Sequence, residues 1–213
     1  FLYKIHLHIS GNNLYYIVRE YVPERRDAKS MKKLQCLLEK LDYKCLQGSL
    51  DVEISQVIYD SRKVCEDCLF ICIKGANFDG HDYAVQVAKN AKVLIVSREM
   101  PELEGMDVTV IQVEDTRYAM AFISAAYFGH PAEKLKIIGI TGTKGKTTTT
   151  YLVKSILENA GYKVGLVGTI ETIIGKEHIP ANNTTPESYV LQEFFAKMVK
   201  VGLDAVVMEV SSQ

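Results

Sequence analysis

The stretch Gly139-Ile140-Thr141-Gly142-Thr143-Lys144-Gly145-Lys146-Thr147-Thr148 joins two segments with different hydrophobic patterns. The residues that lead into it, Lys136 to Ile140, are mostly apolar and β-branched and predict a strand. The residues that follow, from about Lys146 to Ala160, predict a helix, and Gly161 stands where a helix end favours positive φ. A glycine-rich turn between a strand and a helix is the setting of a phosphate-binding loop.

The residue types in this loop suit a nucleoside triphosphate. Glycines let successive backbone N–H groups point at one anion, and the following helix adds its positive dipole end. Lys146 would reach the β- and γ-phosphates, and the hydroxyl of Thr147 would bind Mg²⁺. The strict pattern G-x-x-x-x-G-K-[ST] is not met, because Ile140 occupies the first glycine position. A glycine-rich turn that binds nothing is therefore the alternative.

Strands and helices alternate along most of the chain. We predict strands at 54–59, 69–73, 93–96, 108–113, 136–140, 164–167 and 205–210, and helices at 31–41, 81–90, 118–128, 146–160 and 186–201. This alternation indicates an α/β fold with a mainly parallel sheet. A polar turn near 129–134 divides the chain into domains at 31–132 and 133–213. Residues 1–30, with two short strands, form an extension of unclear origin.

Composition excludes several classes of function. The 213 residues are 47% hydrophobic and 24% charged, with a formal net charge of -1. This balance offers no basic surface for nucleic acid or an anionic membrane, and no apolar run reaches the length of a membrane span. Five cysteines without a regular framework fit a reducing compartment. Because the chain lacks an initial Met and stops at Gln213 in a strand-end motif, we expect a fragment.

Several motifs resemble those of one enzyme family. Residues 141–148 resemble the shortened phosphate loop of the Mur ligases and folylpolyglutamate synthetases. Further stretches resemble Mur ligases in order and spacing: Tyr59-Asp60-Ser61-Arg62, Leu69 to Gly75 with Asp79-Gly80-His81, Asn183-Thr184-Thr185-Pro186 and Met208-Glu209-Val210-Ser211-Ser212. The resemblance covers 31–213. It implies a Rossmann-like domain that binds a UDP-linked substrate, followed by the first part of a P-loop-type ATPase domain.

The resemblance also implies a role for individual residues, with Lys146 as the catalytic one. ATP would be bound by Gly142, Thr143, Lys144, Gly145, Lys146, Thr147 and Thr148; Mg²⁺ by Thr147 and Glu209; the peptide end of a UDP-muramoyl dipeptide by Asn183, Thr184, Thr185 and Ser211; and its uridine end by Tyr59, Ser61 and Asn77.

Each of these interpretations has a simpler alternative. Glu209 ends a predicted parallel strand beside the phosphate loop, where a carboxylate suits Mg²⁺, but a solvated glutamate is common at strand ends. Thr185 could serve only as the cap of the next helix. We reject a zinc site at Cys65, Cys68 and Cys72, because no second pair of ligands follows. His81 is expected to cap or pack at the start of a helix.

The activity that the resemblance implies is ATP-dependent amide ligation in the cytoplasm. A diamino acid, diaminopimelate or lysine, would be joined through an acyl phosphate to UDP-N-acetylmuramoyl-L-Ala-D-Glu in peptidoglycan synthesis. The family's carbamylated lysine, second metal ligand and amino-acid domain would lie in the missing C-terminal part, so we expect no turnover from these 213 residues alone. The alternatives are another Mur-type ligase, a folylpolyglutamate synthetase, a non-catalytic P-loop module or an inactive remnant.

Overall fold

A computed structural model describes residues 3–10, 13–20, 31–75 and 78–211, with side chains described from residue 31 onward. The chain divides into two compact units, residues 1–30 and residues 31–213. In the first unit, β1 (Tyr3–Ser10) pairs with β2 (Asn13–Glu20) in an antiparallel hairpin. The two strands predicted there are confirmed, and each is longer than predicted.

The second unit begins with a five-stranded sheet that is parallel except for one edge strand. Two short strands, β3 (Lys32–Lys33) and β5 (Glu53–Ile54), pair beside it. Its own strands are β4 (Lys44–Gln47), β6 (Gln56–Ile58), β7 (Cys68–Ile71), β8 (Val93–Val96) and β9 (Thr109–Gln112), and their order is β4-β9-β8-β7-β6. The antiparallel edge strand is β4. Its helices are α1 (Leu34–Leu37), α2 (Ala84–Val87) and α3 (Thr116–Tyr127).

Both faces of this sheet are covered, and its strands β7 and β8 are apolar and buried at every position. Leu69 and Ile71 of β7 point to a core shared with α1 and α3. Phe70, between them, points to the opposite core with α2. A continuous apolar run is typical of a parallel strand buried on both faces.

A second five-stranded sheet carries the phosphate loop. Its strands are β10 (Lys136–Ile140), β11 (Val164–Val167), β12 (Glu171–Ile174), β13 (Glu177–Pro180) and β14 (Ala205–Glu209), in the order β10-β14-β11-β12-β13. Strands β10, β14 and β11 are parallel, whereas β12 and β13 form an antiparallel hairpin. Its helices are α4 (Lys146–Asn159) and α5 (Ser188–Lys200). The predicted α/β class with mainly parallel sheets is confirmed.

Several helix boundaries differ from the sequence-based prediction. The helix predicted from Met31 to Leu41 is only one turn, because Lys32 and Lys33 pair with β5 and the N–H of Leu34 donates to Val52 O. The helix predicted from His81 begins as a 3₁₀ turn, Gly80–Tyr83. Helix α3 begins two residues before its predicted position, and α5 begins two residues after.

The two sheets meet through their helices. Helix α3 packs against α5, and Tyr189 in the first turn of α5 reaches the core beside β7. Three further rings, Tyr59, Tyr127 and Phe128, surround Tyr189 at centroid distances of 5.2 to 6.5 Å. Within the described ranges no helix has both the length and the hydropathy that crossing a bilayer requires.

Candidate functional site

The loop between β10 and α4 has the geometry of an anion-binding turn. Gly142 and Gly145 have φ of 144° and 80°, values that residues with a Cβ rarely adopt. Gly145 is the N-cap of α4, and no side chain caps the helix there. The first N–H groups of α4 therefore face the exposed loop, where an anion would be stabilised by them and by the helix dipole.

Lys146 lies over this loop. Its Nζ donates a hydrogen bond to the carbonyl oxygen of Gly142, 2.9 Å away. The ammonium group is thus held above the turn by a neutral partner. A phosphate oxygen would replace that carbonyl with a stronger, charged acceptor.

Glu209 is a buried carboxylate beside the loop. It ends β14 opposite Ile140 of β10, and 1% of its surface is exposed. Its Oε2 accepts a hydrogen bond from Thr147 Oγ1 at 3.0 Å. The structure therefore brings together the two residues that we predicted as metal ligands. A carboxylate and a hydroxyl are hard oxygen donors, so this pair fits Mg²⁺.

Sequence reasoning missed Thr169, which also holds Glu209. The backbone N–H of Thr169 donates to Oε1 at 2.8 Å, and its Oγ1 lies 3.1 Å from Oε2. Gly168 makes this approach possible, because a Cβ there would lie 2.6 Å from Oε1. The signal was present in the sequence: Thr169 follows the strand β11, and polar residues at the carboxyl ends of neighbouring parallel strands meet at one edge of a sheet.

The predicted peptide-binding residues lie next to Glu209. Thr184 Oγ1 is 3.1 Å from Thr169 Oγ1. Thr185 Oγ1 donates to the backbone oxygen of Glu209 at 3.1 Å and accepts from the N–H of Ser211 at 2.9 Å. The alternative that Thr185 only caps the next helix is wrong, because the N-cap of α5 is Glu187 and Thr185 bonds to the end of β14 instead.

These hydroxyls open into a cleft of about 520 Å³ between α3 and the loop that precedes α5. That volume is within the range of sites for small ligands. Its lining includes Arg117, Met120, Asn183, Thr184, Thr185 and Ser211. Arg117 joins the two sides of the cleft, since its Nη1 lies 3.1 and 3.2 Å from the two carboxylate oxygens of Glu187.

Of the residues predicted at the uridine end, Tyr59 and Ser61 follow strand β6 of the first sheet. Tyr59 is half-buried against Tyr189, and burial, with the nearby charge of Glu187, raises the pKa of Tyr59. Tyr59 also shares a depression of about 260 Å³ with Asn183, which connects the two predicted halves of the substrate site. Ser61 begins a 3₁₀ turn and does not line that depression. Asn77 lies outside the described residues.

The side chain of Asp60, within the same motif, is hydrogen-bonded to a residue two positions away. It accepts hydrogen bonds from the N–H of Arg62 and, at 2.9 Å each, from two nitrogens of the Arg62 guanidinium. These bonds lower the pKa of Asp60 to about 2. The motif is therefore a self-contained turn that places Tyr59 and Ser61 on either side of a paired charge.

Two other clusters of reactive side chains lie in the first sheet's domain, at Cys68 and Cys72 and at His81. Burial raises the pKa of Cys68 to about 11 and that of Cys72 to about 12, so both thiols stay protonated. Asp79, His81 and Ser97 resemble a hydrolytic triad, with His81 Nδ1 2.6 Å from Asp79 Oδ1. However, Nε2 of His81 accepts the backbone N–H of Ser97 at 3.0 Å, while the Ser97 hydroxyl lies farther away at 3.2 Å, so the imidazole lone pair is directed to the backbone. As predicted, His81 packs at the start of a helix.

Two family models match the chain. Residues 53–128 match the Mur ligase family catalytic domain, and residues 140–213 match the Mur ligase middle domain. Solved structures show the same fold at low identity. A UDP-N-acetylmuramoyl-L-alanyl-D-glutamate–2,6-diaminopimelate ligase has a TM-score of 0.66 at 20% identity, over 86% of this chain and 36% of that one. MurF from Acinetobacter baumannii has a TM-score of 0.54 at 24% identity, with the same coverages.

Curated relatives are more similar in sequence. The diaminopimelate ligase of Clostridium perfringens, which has the same name as the first of those structures, is 48% identical over 180 residues, or 84% of this chain. That of Caldanaerobacter subterraneus is 51% identical over 168 residues, or 78% of this chain. The chain spans 37% and 34% of the lengths of these two relatives.

Proposed function

Because the chain belongs to the Mur ligase family, whose two domain models it matches in succession, we propose that it is the part of an ATP-dependent amide ligase that binds ATP and a UDP-linked acid. The reaction proposed for the whole enzyme joins a diamino acid to UDP-N-acetylmuramoyl-L-Ala-D-Glu in peptidoglycan precursor synthesis. The names and identities of the curated relatives support this substrate. They favour diaminopimelate over lysine as the diamino acid.

The observation that carries the proposal is the contact between Thr147 and Glu209. Thr147 lies in the first turn of the helix after the phosphate loop, Glu209 ends the middle one of the three parallel strands, and their side chains meet at 3.0 Å. Burial of a carboxylate is unfavourable, so a buried glutamate beside the Thr147 hydroxyl is not expected at a turn that binds nothing. Thr147 and Glu209 would hold Mg²⁺, which supplies charge neutralisation between the phosphates of ATP.

The chemical problem of this reaction is to bring two anions together. The N–H groups at Gly142 to Thr148 and the ammonium of Lys146 stabilise the negative charge of the β- and γ-phosphates. Asn183, Thr184, Thr185 and Ser211 hold the peptide end in the adjoining cleft, with its carboxylate toward the loop. Alignment of the two reactants then replaces a bimolecular encounter with a reaction between bound groups.

The proposed reaction has two steps. The side-chain carboxylate of the D-glutamyl residue attacks the γ-phosphorus of ATP, the bond to the β–γ bridging oxygen breaks, and ADP leaves. The resulting acyl phosphate is attacked at its carbonyl carbon by the amine of the diamino acid, which loses a proton as inorganic phosphate departs. Lys146 is the catalytic residue of the first step, since it touches the transferred group.

The rest of the substrate extends to the first sheet in this proposal. Tyr59, Ser61 and Asn77 contact its uridine end, and the depression shared by Tyr59 and Asn183 supports a continuous path between the two ends. Residues 31–132 form the domain for the UDP-linked substrate and residues 133–213 belong to the ATP-binding domain. UDP-linked precursors and ATP are cytoplasmic metabolites, so we propose that compartment.

Titration calorimetry of the chain with Mg-ATP tests the proposal. We expect binding by the wild-type chain and at least a tenfold loss for Lys146→Ala, or about 1.4 kcal/mol. Lys154→Ala is the matched control: it removes a lysine of the same helix that pairs with Glu158 at 2.7 Å, and it should bind Mg-ATP normally. A second titration, with UDP-N-acetylmuramoyl-L-Ala-D-Glu and with GTP, should show binding of the first. A chain that prefers GTP and ignores the UDP-dipeptide would be a nucleotide-binding module and not a ligase.

A further inference from the structure

Thr169 binds both oxygens of the buried carboxylate of Glu209. Its backbone N–H reaches Oε1 at 2.8 Å and its hydroxyl lies 3.1 Å from Oε2, whereas Thr147 contacts Oε2 alone. The two contacts of Thr169 fix the plane of the carboxylate, because rotation about its last side-chain bond would break both. Gly168 leaves room for Oε1, because a Cβ at that position would come within 2.6 Å of it.

The direction of the hydrogen bonds follows from counting protons. Thr169 has one hydroxyl proton, and both Glu209 and Thr184 lie 3.1 Å from its oxygen. The charged carboxylate is the stronger acceptor, so the proton points to Glu209. The oxygen of Thr169 then accepts the proton of Thr184. A directed chain of hydroxyls runs from Thr184 in the cleft, through Thr169, to Glu209.

Counting hydrogen bonds also shows that Glu209 has a lone pair left for a cation. A carboxylate offers about four acceptor positions. Thr147 and the two donors of Thr169 occupy three of them. The donors also set which lone pair remains, and thus the direction from which a cation can approach. Residues that orient a metal ligand in this way affect metal affinity without touching the metal.

We propose that Thr169 is a positioning residue that orients Glu209 for the divalent cation bound with ATP and connects that site to Thr184 in the peptide cleft. This inference rests on the proposed function. Thr169 itself is an exposed residue, yet its hydroxyl and its N–H both lie against a carboxylate that is buried. Its orientation toward a buried carboxylate is therefore a property of the site.

The experiment compares the affinity of the chain for ATP with and without a divalent cation. Mn²⁺ serves as the probe, since its binding in the ATP complex is followed by electron paramagnetic resonance, and calorimetry with EDTA gives the metal-free affinity. Thr169→Val removes the hydroxyl and keeps the backbone N–H. We expect it to weaken Mn-ATP about tenfold and to leave metal-free ATP within about twofold of wild type. Thr169→Ser, which restores the hydroxyl, should recover most of the loss.

A matched control distinguishes positioning from packing. Thr172→Val makes the same change at a buried threonine of the adjacent strand β12 and should leave Mn-ATP affinity unchanged. The inference is overturned if Thr169→Val binds Mn-ATP as wild type does, or if it weakens ATP equally with and without metal. Failure of the proposed function would look different, because the wild-type chain would then take up no ATP under either condition.

A second variant tests the connection to the cleft and does not depend on whether Thr169→Val folds. Thr184→Val keeps all three donors of Glu209 and removes only the outer hydroxyl of the chain. The loss expected for Mn-ATP is smaller, about twofold, and metal-free ATP should again be unaffected. An unchanged affinity for Mn-ATP would refute the connection between Thr184 and the cation site.

Discussion

Glu209 and Asp60 are both carboxylates at the carboxyl ends of parallel strands, yet they are held in opposite ways. Glu209 is buried, and its side-chain donors, Thr147 and Thr169, are 62 and 40 residues distant in sequence. Asp60 is partly exposed, and its donor is Arg62, two residues away. One carboxylate depends on the assembled sheet, whereas the other depends on a single turn.

The two carboxylates therefore differ in what stabilises them: contacts between distant parts of the chain hold Glu209, and contacts within one turn hold Asp60. Burial of an ionised group is unfavourable unless several hydrogen bonds compensate, so Glu209 persists only because three donors converge on it. Asp60 remains hydrated and needs no such compensation. We expect changes at the buried carboxylate to affect both binding and stability, and changes at the exposed one to affect only a small, pH-dependent part of stability.

The largest effect is expected from Glu209→Ala. The variant removes the proposed metal ligand and leaves the N–H of Thr169 without its acceptor at 2.8 Å. Affinity for Mg-ATP should fall on the order of 100-fold, the upper end of what loss of a group that only orients a ligand produces. Calorimetry with and without Mg²⁺ measures the loss, and Asp60→Ala is the control that should retain affinity. If both variants lost Mg-ATP affinity equally, Glu209 would have no special role as a metal ligand.

A smaller effect is expected from crowding the buried carboxylate without removing it. In Gly168→Ala the new methyl group would lie 2.6 Å from Glu209 Oε1, so the carboxylate or the strand must move. Overpacking of this kind lowers the free energy of unfolding by about 1–3 kcal/mol. Urea denaturation measures it.

Gly139→Ala is the matched control for that variant. Its methyl group would lie 3.1 Å from the side-chain atom Cγ2 of Val210, which can move more easily than a hydrogen-bonded carboxylate. Gly139→Ala should therefore cost less than Gly168→Ala. If the two cost the same, the environment of Glu209 is no tighter than the rest of the sheet.

The same contrast explains what the sequence could predict. The glycine-rich turn between β10 and α4 and the strand that ends at Glu209 are specified by neighbouring residues, and both were predicted. Thr169 was missed because its partner, Glu209, is 40 residues away. Its place after β11 indicates the edge of the sheet where it lies, but no neighbouring residue identifies Glu209 as its partner.

Two further features escaped prediction for the same physical reason. Thr185 precedes a proline in a pattern typical of a helix start. Its hydroxyl nevertheless donates to the backbone oxygen of Glu209 and does not cap the helix. The hairpin of β12 and β13 consists of four-residue strands of mixed polarity, too short for a periodic pattern. It forms because β12 pairs with β11.

The smallest effect is expected from Asp60→Asn. Hydrogen bonding from the Arg62 guanidinium lowers the pKa of Asp60 from the ordinary 3.8 to about 2. A pKa that is lower in the folded than in the unfolded state stabilises the fold above the unfolded value, and that contribution is lost as pH falls from about 4 through 2. Asparagine can still accept the N–H of Arg62, so the variant isolates the charge.

The size of that effect is limited by the exposure of Arg62, whose side chain is 86% accessible. Solvent-exposed pairs contribute about 0–1 kcal/mol, so wild type should exceed Asp60→Asn by no more than that in the free energy of unfolding at pH 6. The excess should shrink toward pH 3, as urea denaturation at a series of pH values would show. A difference that stays constant with pH would mean that Asp60 acts through its shape. If Asp60→Asn lowered the free energy of unfolding more than Gly168→Ala does, the local turn would contribute more to stability than the environment of the buried carboxylate.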